Sequence, residues 1–480
     1  VNTPVDASRP TIFFLHALGM SAREFDGVAA RLADTADVVA LDLPGFGDAS
    51  AASGVTVDDM VALVVRKVRR HAPGRWVLVG HSMGGKIASV VASRALAGEH
   101  GLFGLSGVVL LAASPPTPEP MSDADRAEKR AMADGGALDA ASARAFVDAN
   151  VGAPLDPTSD ATAVGDVQRA SAEAWTAWFD RGSREDWSEA VGVLDVPAVI
   201  LAGGSDGDLG EAAQRELNSR VYPRAQVHVL EGAGHLLPLE RPEEVAAAIL
   251  DFWRDEAGTG PVVPVDVVRT LASSRVSTQT RALHARRVLA DDPRYAPTVL
   301  DEVQLRTLRE LSDRIVPQRA PEPHQAIDLA ARVDAQVGSG RGDGWRNAAL
   351  PPDPEAYRRG LDELAGFGDL PRAEQDALVT AIIAGEHEPR ADDFTAEQMT
   401  LWFEDCRVDL VRTWLSHPAT MSRIGYDGYA NGGDGPRFQG FQLLAADARE
   451  AWEPTMGAAP TQAAPTQAAS TQAAPTEAAR

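Results

Sequence analysis

The first half of the chain predicts an α/β domain with a doubly wound, mostly parallel sheet, and the second half predicts a separate, mostly α-helical domain. Three observations lead there. Short, continuously apolar runs recur through the first 256 residues, with amphipathic helical stretches between them. A run without polar alternation suits a strand covered by helices on both faces. Beyond residue 264 such runs cease, and apolar residues recur at helical spacing instead.

The strands are expected at 11–15, 38–42, 76–80, 107–111, 198–202 and 226–230. Helical stretches separate them, such as 57–70, where Met60, Val61, Val64 and Val68 share one face. Repeated strand–helix–strand order is the pattern of a doubly wound sheet. Between about 115 and 190 the pattern turns helical, Ala-rich and acidic, which is long for a connection and suits a lid over a site. Its aromatics Trp175, Trp178, Phe179 and Trp187 either line a pocket, for which Trp175 and Trp178 are the candidates, or pack the lid onto the body.

The expected organisation is a first domain over 1–256, a linker with connecting helices over 257–300, a helical domain over 301–456 and a tail over 457–480. The linker opens with a Gly/Pro-rich stretch, 257–264. In the helical domain, Leu305, Leu308, Leu311 and Ile315 lie on one face before Pro317, and similar spacing returns over 327–337 and 376–383. The tail repeats Pro-Thr-Gln-Ala-Ala with small variations and is expected to be disordered.

The 480 residues carry a formal net charge of -24, which argues against binding phosphate backbones or anionic membranes. No run of about 18 apolar residues is present, and the first ten residues lack the features of a signal peptide, so a cytoplasmic protein without membrane insertion is expected. Cys406 is the single cysteine, so neither a disulfide framework nor a multi-cysteine metal site is expected. It reads as a small core residue.

The chemistry gathers in the first half. Gly80-His81-Ser82-Met83-Gly84-Gly85 lies between a buried strand and a helix. Small residues flanking Ser82 permit a sharp turn that lifts its hydroxyl to the top of the sheet. A serine needs a base, and His235, on a loop after the last strand, is better placed than His71, His100 or His228. An acid must orient that base; Asp206 follows the 198–202 strand, with Asp208 as its rival. The oxyanion would be held by the backbone N–H groups of Met83 and Leu18.

With His16-Ala17-Leu18-Gly19, Asp42-Leu43-Pro44-Gly45-Phe46-Gly47, Gly203-Gly204-Ser205-Asp206 and Gly234-His235, the first half resembles the α/β-hydrolase superfamily. The likeness is to its esterase, lactonase and cofactor-free haloperoxidase-like members. Ala17 stands where that family usually has Gly. The resemblance implies hydrolysis of a carboxylic ester or lactone through Ser82, Asp206 and His235, with no cofactor and no metal.

In the second half, His417 precedes Pro418 at a helix end and is expected to cap or pack. The turn-rich segment 425–435 either reverses the chain or faces a partner. Leu305 to Pro317, the helix from Tyr357, Trp414 to Pro418, the Tyr429 loop and Phe438 to Phe441 together resemble gluconate 2-dehydrogenase subunit 3. That resemblance implies an accessory subunit, without a cofactor of its own, for a FAD-dependent oxidoreductase of the glucose–methanol–choline type. The alternative is a non-catalytic accessory or assembly subunit in which the hydrolase fold is a scaffold.

Overall fold

The computed structural model describes residues 9–318, 325–340, 347–390 and 394–435, with a few isolated positions from 443 to 453. The expected tail lies outside the described residues.

Six strands, β1 (Thr11–Leu15), β2 (Asp37–Leu41), β3 (Trp76–His81), β4 (Leu105–Leu111), β5 (Ala198–Gly203) and β6 (Gln226–Leu230), form one sheet. Its order is β2-β1-β3-β4-β5-β6, and every neighbouring pair is parallel. The apolar runs are explained by what covers them. Phe13, Leu15, Trp76 and Leu78 enter one buried cluster, while Ile12, Phe14, Val77 and Val79 enter another. Adjacent residues of a strand point to opposite faces, so a sheet covered on both sides needs apolar residues at every position. The order reverses between β1 and β3, and open parallel sheets offer a crevice at such a point, at the carboxyl ends of the strands.

Residues between β4 and β5 form only helices, the longer ones being Asp123–Ala131, Ala140–Ala149 and Pro157–Arg169. Trp175, Trp178 and Phe179 of this insertion share a cluster with Phe13 and Leu78. The insertion is therefore continuous with the body's core on one face of the sheet.

The second half centres on helix Ala396–Leu415, whose Trp402, Phe403, Cys406 and Leu410 are buried with Leu305, Leu308 and Leu311. Helix Asp353–Glu363 packs so closely there that a Cβ on Gly360 would stand 2.2 Å from the Trp402 ring. The stretch expected as a linker forms helices Val265–Ala272 and Thr278–Arg287, which bury Val267, Val268 and Leu271 beside Phe103 and Tyr429. Arg281 Nε donates to Gly98 O at 2.6 Å, fastening this stretch to the first half. Among the described residues no helix is long and apolar enough to cross a membrane.

Candidate active site

β3 ends at His81, and helix Met83–Leu96 begins one residue after Ser82. The turn between them is made by Ser82 itself, at φ 50° and ψ −119°. A side-chain-bearing residue in such a conformation stores roughly 1–3 kcal/mol, so its surroundings must hold it there. They do: Ser82 N–H donates to Leu111 O at 3.0 Å, and its carbonyl accepts from Gly85 N–H at 2.7 Å and Ser114 N–H at 2.9 Å. The flanking glycines serve a different need from the one expected. Neither Gly80 nor Gly84 has a positive φ; a Cβ on Gly80 would stand 2.6 Å from Gly84 O, and one on Gly84 2.2 Å from Leu15 O. Close approach of backbones, with Ser82 rather than its flanking glycines taking the positive φ, is the local design.

Asp206 follows β5 and His235 follows β6. His235 Nδ1–H donates to Asp206 Oδ2 at 2.7 Å, while Asp206 Oδ1 accepts from the N–H groups of Asp208 and Leu209, each at 3.2 Å. Burial works to raise the Asp206 pKa, yet His235 and the backbone donors hold it below the usual carboxylate value. For His235 burial works downward, and Asp206 more than reverses it, so its pKa lies above 6.5. Asp208 is turned elsewhere, to Lys129 Nζ at 3.0 Å. An imidazole held through Nδ1 by a carboxylate presents Nε2 as a base.

Two residues that sequence reasoning did not single out support this arrangement. Glu24 Oε1 accepts from Ala17 N–H at 3.1 Å, in the loop after β1 that bears Leu18, and lies 3.0 Å from His81 Nδ1. His81 Nε2 lies 2.8 Å from His235 O. Both side chains are fully buried, and the ring spans the gap between the Glu24 carboxylate and the His235 carbonyl. One carboxylate thus ties the Leu18 loop to the backbone of His235. The signal for His81 was its place beside Ser82; Glu24 had none, because only the fold brings it there.

Residues 12–248 match the Alpha/beta hydrolase family, and residues 302–433 match Gluconate 2-dehydrogenase subunit 3. The chain joins an alpha/beta hydrolase domain to a gluconate 2-dehydrogenase subunit 3 domain. It is similar to 2-succinyl-6-hydroxy-2,4-cyclohexadiene-1-carboxylate synthase of Serratia proteamaculans, 28% identical over 52% of this chain and 94% of that protein. It is also similar to Esterase Rv0045c of Mycobacterium tuberculosis, 26% identical over 51% of this chain and 84% of that protein. The biotin biosynthesis bifunctional protein BioHC of Cellvibrio japonicus is 24% identical over 62% of this chain, which spans 58% of that protein's length.

In the hydrolase domain a cavity of about 230 Å³ opens over the carboxyl ends of the strands, with Ser82, Asp206, His235 and Leu18 in its lining. Trp178 and Phe179 supply part of its apolar wall. Trp175, expected beside Trp178, is not among the lining residues. It is fully buried behind the wall, its ring against Phe146 and Phe179 and its Nε1–H donated to Lys129 O at 2.8 Å. A bulky indole can reach both a main-chain acceptor and two aromatic neighbours only by turning into the lid. Glu119, the remaining unanticipated residue, also lines the cavity.

In the subunit 3 domain the polar residues are absorbed by the fold. His417 Nδ1 accepts from Ala419 N–H at 3.2 Å, capping helix Pro418–Arg423, and burial lowers its pKa to about 3. Cys406 is buried. The Tyr429 loop is fastened to the connecting helices: Tyr429 is buried, Asn431 Oδ1 accepts from Ser277 N–H at 2.8 Å, and Asp434 Oδ1 accepts from Thr278 N–H at 2.9 Å. Phe438 to Phe441 lie outside the described residues. Among the described residues there is no group of three or more His, Cys, Asp or Glu that could hold a metal ion.

Proposed function

We propose that the hydrolase domain is a serine hydrolase of carboxylic esters or lactones. The observation that carries this reading is that Ser82 and His235 line one cavity while His235 is bonded to Asp206. Ser82 Oγ attacks the substrate carbonyl as His235 Nε2 takes its proton, and the Met83 and Leu18 N–H groups receive the oxyanion. The imidazolium, stabilised by Asp206, returns the proton to the leaving alcohol. Water, activated by the same imidazole, then releases the acyl group and restores the serine. Similarity to an esterase supports the class of reaction. The test is hydrolysis of p-nitrophenyl butyrate and of δ-valerolactone by the full chain and its Ser82→Ala variant. A loss of kcat on the order of 10⁶-fold is expected, and equal rates would end the proposal.

The subunit 3 domain supports a further part of the reading: the chain accompanies a FAD-dependent oxidoreductase of the glucose–methanol–choline type. Oxidation of a sugar at its anomeric carbon gives a lactone, which the attached hydrolase would open. Pull-down of the full chain from its host, with flavin fluorescence as the readout, checks this; a preparation free of flavoprotein would contradict it.

A further inference from the structure

Glu119 is a buried carboxyl group that the triad does not use. Its N–H donates to Ser183 O at 2.8 Å, and its carbonyl accepts from Arg126 Nη2 at 3.3 Å. The Ser114 hydroxyl donates to its Oε1. Ser114 also donates its own N–H to Ser82 O, so the carboxyl is fixed to the same backbone as the nucleophile. Glu119 therefore brings a carboxyl group to a cavity whose lining joins the apolar Ala17, Met121, Phe146, Trp178 and Phe179 to the polar residues around Ser82 and His235.

We propose that Glu119 determines the specificity of this cavity, selecting an uncharged acyl chain that bears a hydroxyl group over a plain hydrocarbon chain and over a carboxylate. The inference rests on the hydrolase reading and deepens it. A buried polar group penalises a ligand that leaves it unpaired, so a hydrocarbon chain lying against Glu119 loses affinity there. Burial raises the Glu119 pKa against the opposing effects of Ser114, Lys86 and Arg126. A carboxyl group fixed in the wall accepts a hydrogen bond from a substrate hydroxyl, which a hydrocarbon chain cannot supply.

Anions are disfavoured by the charges around the cavity. Asp206 and Asp208 line it, and Lys129, the cation among the lining residues, is engaged with Asp208. The buried cations nearby point away: Lys86 Nζ donates to Gly182 O at 3.0 Å and Glu185 O at 2.9 Å, and Arg126 reaches the Ser183 hydroxyl and Met121 O. A substrate carboxylate would meet like charge without a free partner.

The test compares p-nitrophenyl butyrate, p-nitrophenyl 3-hydroxybutyrate and mono-p-nitrophenyl succinate on the full chain, Glu119→Gln and Glu119→Leu. The native protein is expected to favour the hydroxylated ester over the plain one by about tenfold in kcat/KM, with the succinate lowest. Glu119→Gln, which can still donate and accept, keeps the preference; Glu119→Leu loses it. Retention of the preference in folded Glu119→Leu, or its absence from the native protein, overturns the inference. Binding of methyl 3-hydroxybutyrate against methyl butyrate to the Ser82→Ala variant, by calorimetry, separates the two readings. Selective binding without turnover in the native protein sinks the hydrolase reading alone, and turnover without selectivity sinks the role of Glu119 alone.

Discussion

Asp206 and Asp334 are both buried carboxylates, one in each domain, and they differ in what they are bonded to. Asp334 accepts from the Tyr295 hydroxyl, from the Thr298 N–H and hydroxyl, and from the N–H groups of Val299 and Leu300. Every one of those donors belongs to one loop, which the carboxylate organises. Asp206 accepts from two backbone N–H groups and gives its other oxygen to an imidazole that lines a cavity. The contrast teaches how to tell a working acid from a structural one. A structural carboxylate is saturated by the chain, whereas a working one passes part of its bonding to a group that meets solvent or substrate.

The largest effect expected from this contrast is on rate. Asp206→Asn should lower kcat/KM for an ester by about 10⁴-fold by disturbing the tautomer of His235, whereas Asp334→Asn should leave it unchanged. Steady-state kinetics on the two variants would reverse the comparison if the losses were exchanged. On stability the order inverts: Asp334→Asn should cost about 3 kcal/mol through lost charge-assisted bonds, read from urea unfolding of the subunit 3 domain.

The pH dependences should also part. On the proposed mechanism His235 must be neutral to act, and its pKa is raised above the usual 6.5 because Asp206 outweighs burial. kcat/KM should therefore fall as pH drops through a midpoint above 6.5, and Asp206→Asn should move that midpoint down. Outside the hydrolase domain burial lowers His417 to about 3 and His284, on the connecting helix Thr278–Arg287, to about 4. Both pKa values lie below that of the unfolded chain, so the stability held above pH 6.5 is lost as pH falls toward 4. Each histidine should account for about 2–3 kcal/mol between pH 6.5 and 4.5. Thermal midpoints of native protein and His417→Asn would show it, the variant having the flatter profile.

The smallest effect belongs to the rival acid. Asp208 forms a partly exposed pair with Lys129, so Asp208→Asn should change kcat/KM by less than about fivefold.

Much of this was legible in the residues. The four inner strands announced themselves because they are covered on both faces and show no polar alternation, whereas the edge strand β6 alternates, with Gln226 and His228 exposed; Ser82 and His235 were marked by glycines and by position after strands. The choice between Asp206 and Asp208 was not fully decided, since two residues of loop can aim either carboxylate, and only the bond to His235 separates them. Glu24 and Glu119 escaped because neither sits in a spacing pattern; tertiary contacts alone give them their partners. Residues 257–300 read as a linker with connecting helices because of the Gly/Pro-rich stretch that opens them, and what the sequence hid is that Val267, Val268 and Leu271 form a cluster only with Phe103 and Tyr429 from either side.

The central claim is that a base-activated hydroxyl stands at the crest of the sheet. Reaction of the full chain with a fluorophosphonate, followed by peptide mass spectrometry, tests it most directly. A single adduct on Ser82, forming more slowly as pH falls below the His235 midpoint, is the predicted result; a folded protein that remains unlabelled, or is labelled on another serine, would contradict it.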